Sequence, residues 1–519
     1  MATHSISKVN RMGVNGKVSS NASVMPSTTA TLQGSSVKGQ AVHRSSSKAG
    51  QLLQSFDGVS DLDNAVTTGF VLTPPDQGLC VGTLTGQKVV IEPVNISFRI
   101  FSTTGTTLFG PAPISFLFQE PSILKEFISD PRCQYDKSTG DFFFTVLAFN
   151  STGSESHIDV TVLHQDGNFF TYRFDSTDIG GRGCPCFADQ PLIGLDKYNI
   201  YVSGNEFPIA QPSPFYNGAE VYAISKSQLA ANTPANYVEF SNLSDQGILI
   251  ETLQPAITYD NNAPAEYLLH SFVVDANGNN TSFDRRLGVF AITNQAAVTQ
   301  GGTPTLSNPT VINSEAYAQP NPAPEPSGLL LNADDDRMQQ VQYINGNLMG
   351  ALSTAVLVKG DTTPRDGAAW FDIEPSLHGS LTVNARIKHQ GYIAASGLYI
   401  LYPAIAQNKN GTVEMAFSIT SSTINPSAAY AVVPDETHSK NAGAVYVAAT
   451  GSGSYFDTFT CSGTLPPGCR WGDYSWITLD PNTSNFWMGS EYVPPLNRET
   501  INGHIINANW GTRLYEVGG

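Results

Sequence analysis

Seven times along the chain a polar residue, usually Asp, stands at or just ahead of a short apolar run, which leads into a turn of the Asp-x-x-x-Gly kind and a second apolar run. The instances begin at Asp76, Asp130, Asp189, Gln254, Asp336, Tyr402 and Asp473. Two of them read DPRCQYDKSTGDFFFTVLAF, from Asp130, and DYSWITLDPNTSNFWMGSEY, from Asp473. The steps between them are 54, 59, 65, 82, 66 and 71 residues, a drifting period that suits one four-stranded sheet plus loops per repeat. The expected fold is therefore all-β, a seven-bladed β-propeller. In such a ring each sheet packs both faces on its neighbours, and the core is a circle of seams.

Composition agrees, because 40% hydrophobic and 14% charged residues with 46 Gly and 32 Pro describe short strands and tight turns rather than long helices. The run Asp141-Phe142-Phe143-Phe144-Thr145-Val146-Leu147 is too apolar for a strand with one wet face, as a blade packed on both sides requires. Ahead of it, Asp136 to Gly140 supply a side-chain acceptor for backbone amides and a residue that tolerates positive φ. Asp480 to Asn485 repeat the device with Asn in the left-handed place. Residues 1–54 read as a disordered Ser/Thr/Lys-rich head and 55–519 as the propeller, with the folded part beginning near Phe56. The last repeat, Asp473 to Gly519, spans only 47 residues and looks one strand short. The segment near Gly69–Leu72 is expected to complete it, fastening chain start to chain end and removing exposed edges. The Pro/Gly-rich excursion Thr299–Ser327 reads as an extended loop or a crossing between blades.

Residues 1–50 carry Lys8, Arg11, Lys17, Lys38, Arg44 and Lys48 and no acid, so a net charge of −17 leaves about −23 on the rest. A body so acidic disfavours nucleic acid. No run approaches the roughly 18 apolar residues of a membrane span. The head lacks hydrophobic periodicity and fits a flexible tail or pro-segment, with an organelle transit segment as the alternative. No signal peptide is recognisable at Met1. The six cysteines fall as Cys80 and Cys133 in adjacent repeats, Cys184 and Cys186 flanking Pro185, and Cys461 and Cys469 bracketing SGTLPPG. That placement points to disulfides, and hence to an extracellular or other oxidising compartment. Asn-x-Ser/Thr at Asn95, Asn150, Asn242, Asn279, Asn280, Asn410 and Asn482 is compatible with a secreted glycoprotein. A monomer is expected.

The stretches Asp130-Pro131…Tyr135-Asp136…Gly140…Phe143, Asp189-Gln190-Pro191…Gly194…Asp196 with Asn205-Glu206-Phe207, Tyr402-Pro403-Ala404-Ile405-Ala406…Gly411 and Arg470-Trp471-Gly472-Asp473-Tyr474-Ser475…Asp480 carry a resemblance. Over about residues 60–515 the chain resembles sialidase-like (BNR-type) β-propeller proteins, many of them secreted microbial proteins without an assigned activity. The resemblance implies the propeller fold. The Asp-box of true sialidases, Ser-x-Asp-x-Gly-x-x-Trp, has no clean counterpart, since Ser282-Phe283-Asp284-Arg285-Arg286-Leu287-Gly288 lacks its spacing and its Trp. Sialic-acid hydrolysis is therefore not implied.

In a propeller the first residues of the innermost strands crowd around one mouth of the central channel. The seven repeat-opening residues are expected to converge there, with Arg132, Arg337 and Arg470 close behind. Gathered carboxyl groups raise one another's pKa or demand a cation, and interleaved guanidiniums grip an anionic ligand. Each Asp can equally serve as a cap on local backbone amides. Glu206 and Glu491 occupy matching strand ends beside Phe207 and Tyr492, places suited to a general acid or base and also to a structural rule of the repeat. The candidate catalytic residues are Glu206, Asp189, Glu491 and Tyr402. The candidate substrate-binding residues are Arg132, Arg337, Arg470, Asp130, Asp473 and Tyr474. Tyr201, Tyr216, Trp370, Tyr402, Tyr474, Trp476 and Tyr492 are available either to stack on sugar faces or to pack seams.

These residues fit cleavage of an acidic glycan, by hydrolysis as in a glycoside hydrolase or by elimination as in a polysaccharide lyase. The competing reading is a non-catalytic propeller that binds a glycan or protein. No metal ligand is assigned, because His157, His164, His270, His378, His389, His438 and His504 show no zinc spacing. A structural calcium on ring carboxylates, to which Asp334-Asp335-Asp336 points, stays open.

Overall fold

The structure is a computed structural model that describes residues 50–519 except 121–125, 151, 178–183, 210–215, 275–280, 282, 359–360, 435–443, 459, 462–467, 496–499, 502–503 and 506–507. Residues 1–49 of the predicted head, the sequons at Asn279 and Asn280, Ser282 and His438 lie outside the described residues.

The repeat that opens at Asp76 becomes an antiparallel meander of Cys80–Leu84, Gln87–Val94, Ser97–Ser102 and Thr107–Pro113. The same up-and-down order runs from Glu126–Asp136 to Phe169–Asp175 and from Tyr399–Gln407 to Val445–Ala449. Three further antiparallel runs, opened by Cys186–Leu195, Gln254–Thr258 and Val341–Ile344, join into one composite sheet. They join because these opening strands lie side by side and parallel, Leu195 against Ile257 and Ala256 against Val341. Strands that open separate repeats meet in this way when the repeats are wound about a common centre.

The last sheet closes the array. Trp476–Leu479 pairs with Phe486–Tyr492, that strand with Gly511–Val517, and Gly511–Val517 with Leu52–Ser60 from the other end of the described chain. Closure by the chain start is thus present, but through a different segment from the one expected. Asp61–Thr68 form a helix instead, because Ser60 and Asp63 bond each other's backbone in a reciprocal cap and Gly69 ends the turn at φ 76°. The chain from Gly69 to Leu72 joins no sheet. The Pro/Gly-rich excursion also differs from its expected loop, since it contains Thr310–Tyr317, a strand that pairs with Asp284–Thr293.

The core lies in the seams between sheets. Phe142 and Phe144 pack with Cys80, Ile91 and Phe98 of the preceding sheet. Phe143, pointing the other way, packs with Ile193, Val202 and Tyr222 of the following one. Alternation along one strand thereby feeds two seams, and each such side chain contributes about 1.5–3 kcal/mol by leaving water. The turns at the far ends are built on Asp: Asp136 Oδ2 accepts the Thr139 amide at 3.1 Å, with Gly140 at φ 81°. Asp480 Oδ1 accepts the Asn482 and Thr483 amides at 2.9 and 3.0 Å. Neither Asn482 nor Asn485 has a positive φ, so the second turn copies the acceptor without the left-handed residue. Disulfides join Cys80 to Cys133, Cys184 to Cys186 and Cys461 to Cys469, pairings compatible with an oxidising compartment. Among the described residues no helix is long and apolar enough to cross a membrane.

Glu92 sits fully buried in the closing seam, where its Oε2 accepts the Val59 amide at 2.7 Å. Burial, with a smaller push from Asp63, raises its pKa from 4.5 to about 8 against bonds from Thr512 and Val59 and the charge of Arg99. The folded chain therefore holds a proton there that the unfolded chain loses above pH 4.5, and stability falls as pH climbs from 4.5 to about 8. Glu92→Gln removes this loss, on the order of 4 kcal/mol. Urea unfolding of both proteins is expected to show the variant's relative stability rising between acid and mildly alkaline pH. A gap constant with pH would refute the assignment.

Candidate functional site

At the opening of each run a residue other than glycine takes a positive φ: Asp76 at 47°, Asp130 and Gln190 at 57°, Thr252 at 65°, Asp334 at 56°, Tyr402 at 53° and Asp473 at 108°. Such a conformation is uncommon outside glycine, and its recurrence marks a built feature. In three strands it belongs to a bulge. Asp130-Pro131, Gln190-Pro191 and Tyr402-Pro403 stand unpaired between Ser129 and Arg132, Asp189 and Leu192, and Leu401 and Ala404. Such a bulge sets extra residues of one strand outside the pairing, and a proline costs no ladder bond at such a place. The seven-fold recurrence expected of the sequence is thus matched by a recurring left-handed residue, with its phase corrected. Gln190, Thr252 and Asp334 hold the positions read as Asp189, Gln254 and Asp336.

A cavity of about 70 Å³ opens at four of these residues, Asp76, Asp130, Gln190 and Asp473, and is lined also by Asn95, Asp189, Arg470 and Tyr474, with Leu72 to Pro74 among its walls. Asn95 organises it. Its Nδ2 donates to Asp76 Oδ2 at 2.6 Å and to the Pro74 carbonyl at 3.0 Å, and its Oδ1 accepts the Asp130 amide at 2.8 Å. Tyr474 OH donates to Asp130 Oδ1 at 3.3 Å, and Arg470 Nη2 donates to Asp473 Oδ2. Asp76 Oδ1 is buried without a hydrogen-bond partner. Burial, then the charges of Asp473 and Asp130, push the Asp76 carboxyl well above the usual range, against Arg470 and the bond from Asn95. Burial opposes the charge of Arg470, but Asp473, Asp334 and Asp76 outweigh it and hold the guanidinium protonated.

Of the ten candidate residues, Asp130, Asp189, Arg470, Asp473 and Tyr474 therefore line one cavity. The other five do not, each for a visible reason. The Arg132 guanidinium is fully buried, stacked 3.4 Å from the Tyr474 ring centroid, with Nη1 donating to the Pro131 carbonyl at 2.8 Å. Arg337 is bound by Asp335, Asp334 and Glu251 and donates to Gln190 Oε1. Those bonds also engage Asp334 and Asp335, two of the three acids read as a calcium site. Tyr402 is buried with its OH donating to the Asn332 carbonyl at 3.0 Å. Glu491 is buried beside the cavity wall, where its Oε2 accepts the Gly472 amide at 2.6 Å and burial raises its pKa well above the usual range. Glu206 is buried next to the Cys184–Cys186 disulfide, its Oε1 3.3 Å from Cys184 Sγ and its Oε2 accepting from Asn242 at 3.4 Å. Tyr201, Trp370, Trp476 and Tyr492 are buried as seam packing, and Tyr474 alone of the tyrosines and tryptophans singled out reaches the cavity.

Asn95 was legible only as a sequon, and burial to 2% exposure excludes it from glycosylation. Gln190 was legible through its proline, which aligns with those after Asp130 and Tyr402. Leu72 was read as part of a closing strand, and nothing in the sequence points Leu72 to Pro74 toward a cavity.

No model of a protein family matches the chain, and no curated protein matches it. Among solved structures, the chain is similar to the hemagglutinin-neuraminidase ectodomain of parainfluenza virus 5, with 8% identity over 76% of this chain and 82% of that one and a TM-score of 0.37. It is also similar to Trypanosoma rangeli sialidase in complex with sialic acid, with 10% identity over 81% of this chain and 57% of that one and a TM-score of 0.35. A third similarity is to the GH43 endo-arabinanase from Bacillus licheniformis, with 11% identity over 64% and 94% and a TM-score of 0.27. Likeness at this level assigns no activity, and the chemistry of the cavity is that of this chain's own residues.

Proposed function

We propose that the chain is a seven-bladed β-propeller that acts on carbohydrate at the mouth where its inner strands open, cleaving a glycosidic bond by acid–base hydrolysis. The observation that carries this reading is Asp76, a buried carboxyl with one oxygen unpartnered at a cavity wall and its pKa well above the usual range. A carboxyl kept protonated beside other carboxylates is the arrangement that glycoside hydrolysis needs. Asp76 donates its proton to the departing sugar oxygen. Asp130, positioned by Tyr474 and by the hydrogen bond its backbone amide donates to Asn95 Oδ1, serves as nucleophile or base, with Asp189 and Asp473 also on the cavity wall.

Electrostatics changes the substrate class from the acidic glycan expected of the sequence. Arg132 and Arg337 are engaged elsewhere, and the cavity has four aspartates to one guanidinium, itself held by Asp473. Such a wall repels a sugar carboxylate and receives hydroxyl or amino groups. Elimination at a uronide loses support for the same reason, since it needs a cation to hold the carboxylate. Disulfide pairing and sequons outside the buried Asn95 support a secreted protein, and a structural calcium on ring carboxylates other than Asp76 and Asp130 is part of this proposal.

A second reading, a non-catalytic module that binds a glycan or protein end group, draws on the cavity size. About 70 Å³ admits a substituent rather than a whole sugar ring. The test is turnover on matched neutral, amino and uronic oligosaccharides. Cleavage confined to neutral or amino sugars supports hydrolysis, uronide cleavage restores the acidic reading, and binding without cleavage supports the module.

A further inference from the structure

Away from the cavity, on the sheet Glu126–Asp175, three metal-ligating side chains come together that no part of the proposed chemistry uses. His157 and Asp159 lie two residues apart on the strand Ser156–Leu163 and so share one of its faces. Glu120 approaches from just beyond the short helix Ile114–Leu117 that follows the first sheet. One ligand atom from each of the three lies within 4.8 Å of the others.

The bonding around the cluster is incomplete in a specific way. His157 Nε2 meets Glu126 Oε1 at 2.9 Å and Nδ1 faces Asp159 Oδ1 at 2.7 Å. Arg173, cross-strand from Asp159, pairs with Glu120 Oε1 and lies 3.7 Å from Asp159 Oδ1. That leaves Asp159 Oδ2 and Glu120 Oε2, both buried and neither accepting from an N–H or hydroxyl donor, and the two carboxyls lie close enough to share a proton in the absence of a metal. The Asp159 side chain is 0% exposed and that of Glu120 2%. Three carboxylates, Glu120, Glu126 and Asp159, face a single permanent cation, Arg173, which is half exposed. Buried carboxylate oxygens without donors are costly, and a divalent cation satisfies two of them at once and cancels the excess charge.

We infer that His157, Asp159 and Glu120 form a site for a divalent transition metal, zinc by donor type, in which Asp159 Oδ2, Glu120 Oε2 and an imidazole nitrogen are the ligands. One nitrogen and two carboxylate oxygens suit zinc. Glu126 supplies the outer carboxylate that fixes the ring through Nε2, leaving Nδ1, already turned to Asp159, for the metal. Arg173 keeps the two opposite oxygens. The ion ties Glu120, at the end of the first sheet's short helix, to the strand Ser156–Leu163 of the second sheet, a structural role separate from the cavity chemistry.

The test uses the full chain, dialysed against EDTA and titrated with zinc chloride by calorimetry, with metal content measured after gel filtration. The wild type is expected to take up zinc and to melt at a higher temperature with it. Glu120→Gln and Asp159→Asn are each expected to lose one equivalent or weaken it at least tenfold, and to lose the zinc-dependent rise. Should Asp159→Asn fail to fold, Glu120→Gln decides alone, because Glu120 lies outside every sheet. No uptake by the wild type, or uptake and melting unchanged in a folded Glu120→Gln, overturns the site and leaves an ion-pair cluster around Arg173.

Discussion

Asp76→Asn is expected to lower glycan turnover by a factor of about 10²–10⁴, the usual contribution of a positioned proton donor, while the melting temperature changes little. The substitution is isosteric and keeps an acceptor for Asn95 Nδ2, which now bonds Asp76 Oδ2 at 2.6 Å. Asn also tolerates the positive φ of 47° at this position. Its amide is neutral, as the protonated Asp76 carboxyl is, so the fold loses no bond and gains no charge. Chemistry loses its proton. Because burial and then Asp473 and Asp130 raise the pKa of Asp76, the acid form persists above the usual carboxylate range. Wild-type activity then falls on the alkaline side as that proton is lost. The residual activity of the variant lacks this limb, which a pH profile of kcat/KM reads directly. Full turnover in Asp76→Asn with an unchanged profile would place the proton donor elsewhere and remove the basis for hydrolysis at this cavity.

Features of the fold were legible in the sequence where their signal is local. The doubled apolar run around Phe143 and the Asp136 turn are written in consecutive residues, and both appear in the structure. The meeting of Asp130, Asp189, Arg470, Asp473 and Tyr474 was readable because a repeat brings equivalent positions to one centre. The phase was harder. A bulge shifts the register of one strand without changing composition, so an Asp at 189 reads as the equivalent of Asp130 although the left-handed residue is Gln190. The guanidiniums misled for another reason. Whether an arginine meets ligand or protein depends on what lies opposite, and for Arg132 that is the ring of Tyr474, 342 positions later. The cluster of His157, Asp159 and Glu120 is invisible to spacing rules, since one ligand arrives from before the sheet that holds the other two.

Removing residues 1–60 is expected to abolish cooperative folding, whereas a chain starting at Gly50 retains it. The difference is the strand Leu52–Ser60, which supplies the fourth strand of the closing sheet to Gly511–Val517. Its side chains also fasten first sheet to last: Phe56 packs 5.4 Å from Phe101 and 6.1 Å from Trp487, centroid to centroid. Arg513 donates to the Ser55 carbonyl at 2.9 Å, and Val59 donates to Glu92. At the strand's start, the Gly50 amide reaches Glu414 Oε1 and its carbonyl accepts from Tyr430 OH, each at 3.0 Å. Loss of this segment leaves Glu92 and Glu414 buried without those donors. It also bares the row of backbone groups along Gly511–Val517, a template for pairing with other chains. One aromatic burial, a ladder of backbone bonds and two stranded carboxyls together rival the about 5–15 kcal/mol by which a domain is stable. A soluble monomer lacking residues 1–60 that unfolds in one transition at the wild-type temperature would show that the array holds without its clasp. The meeting of Asp76, Asp130, Gln190 and Asp473 at one cavity would then rest on seam packing alone.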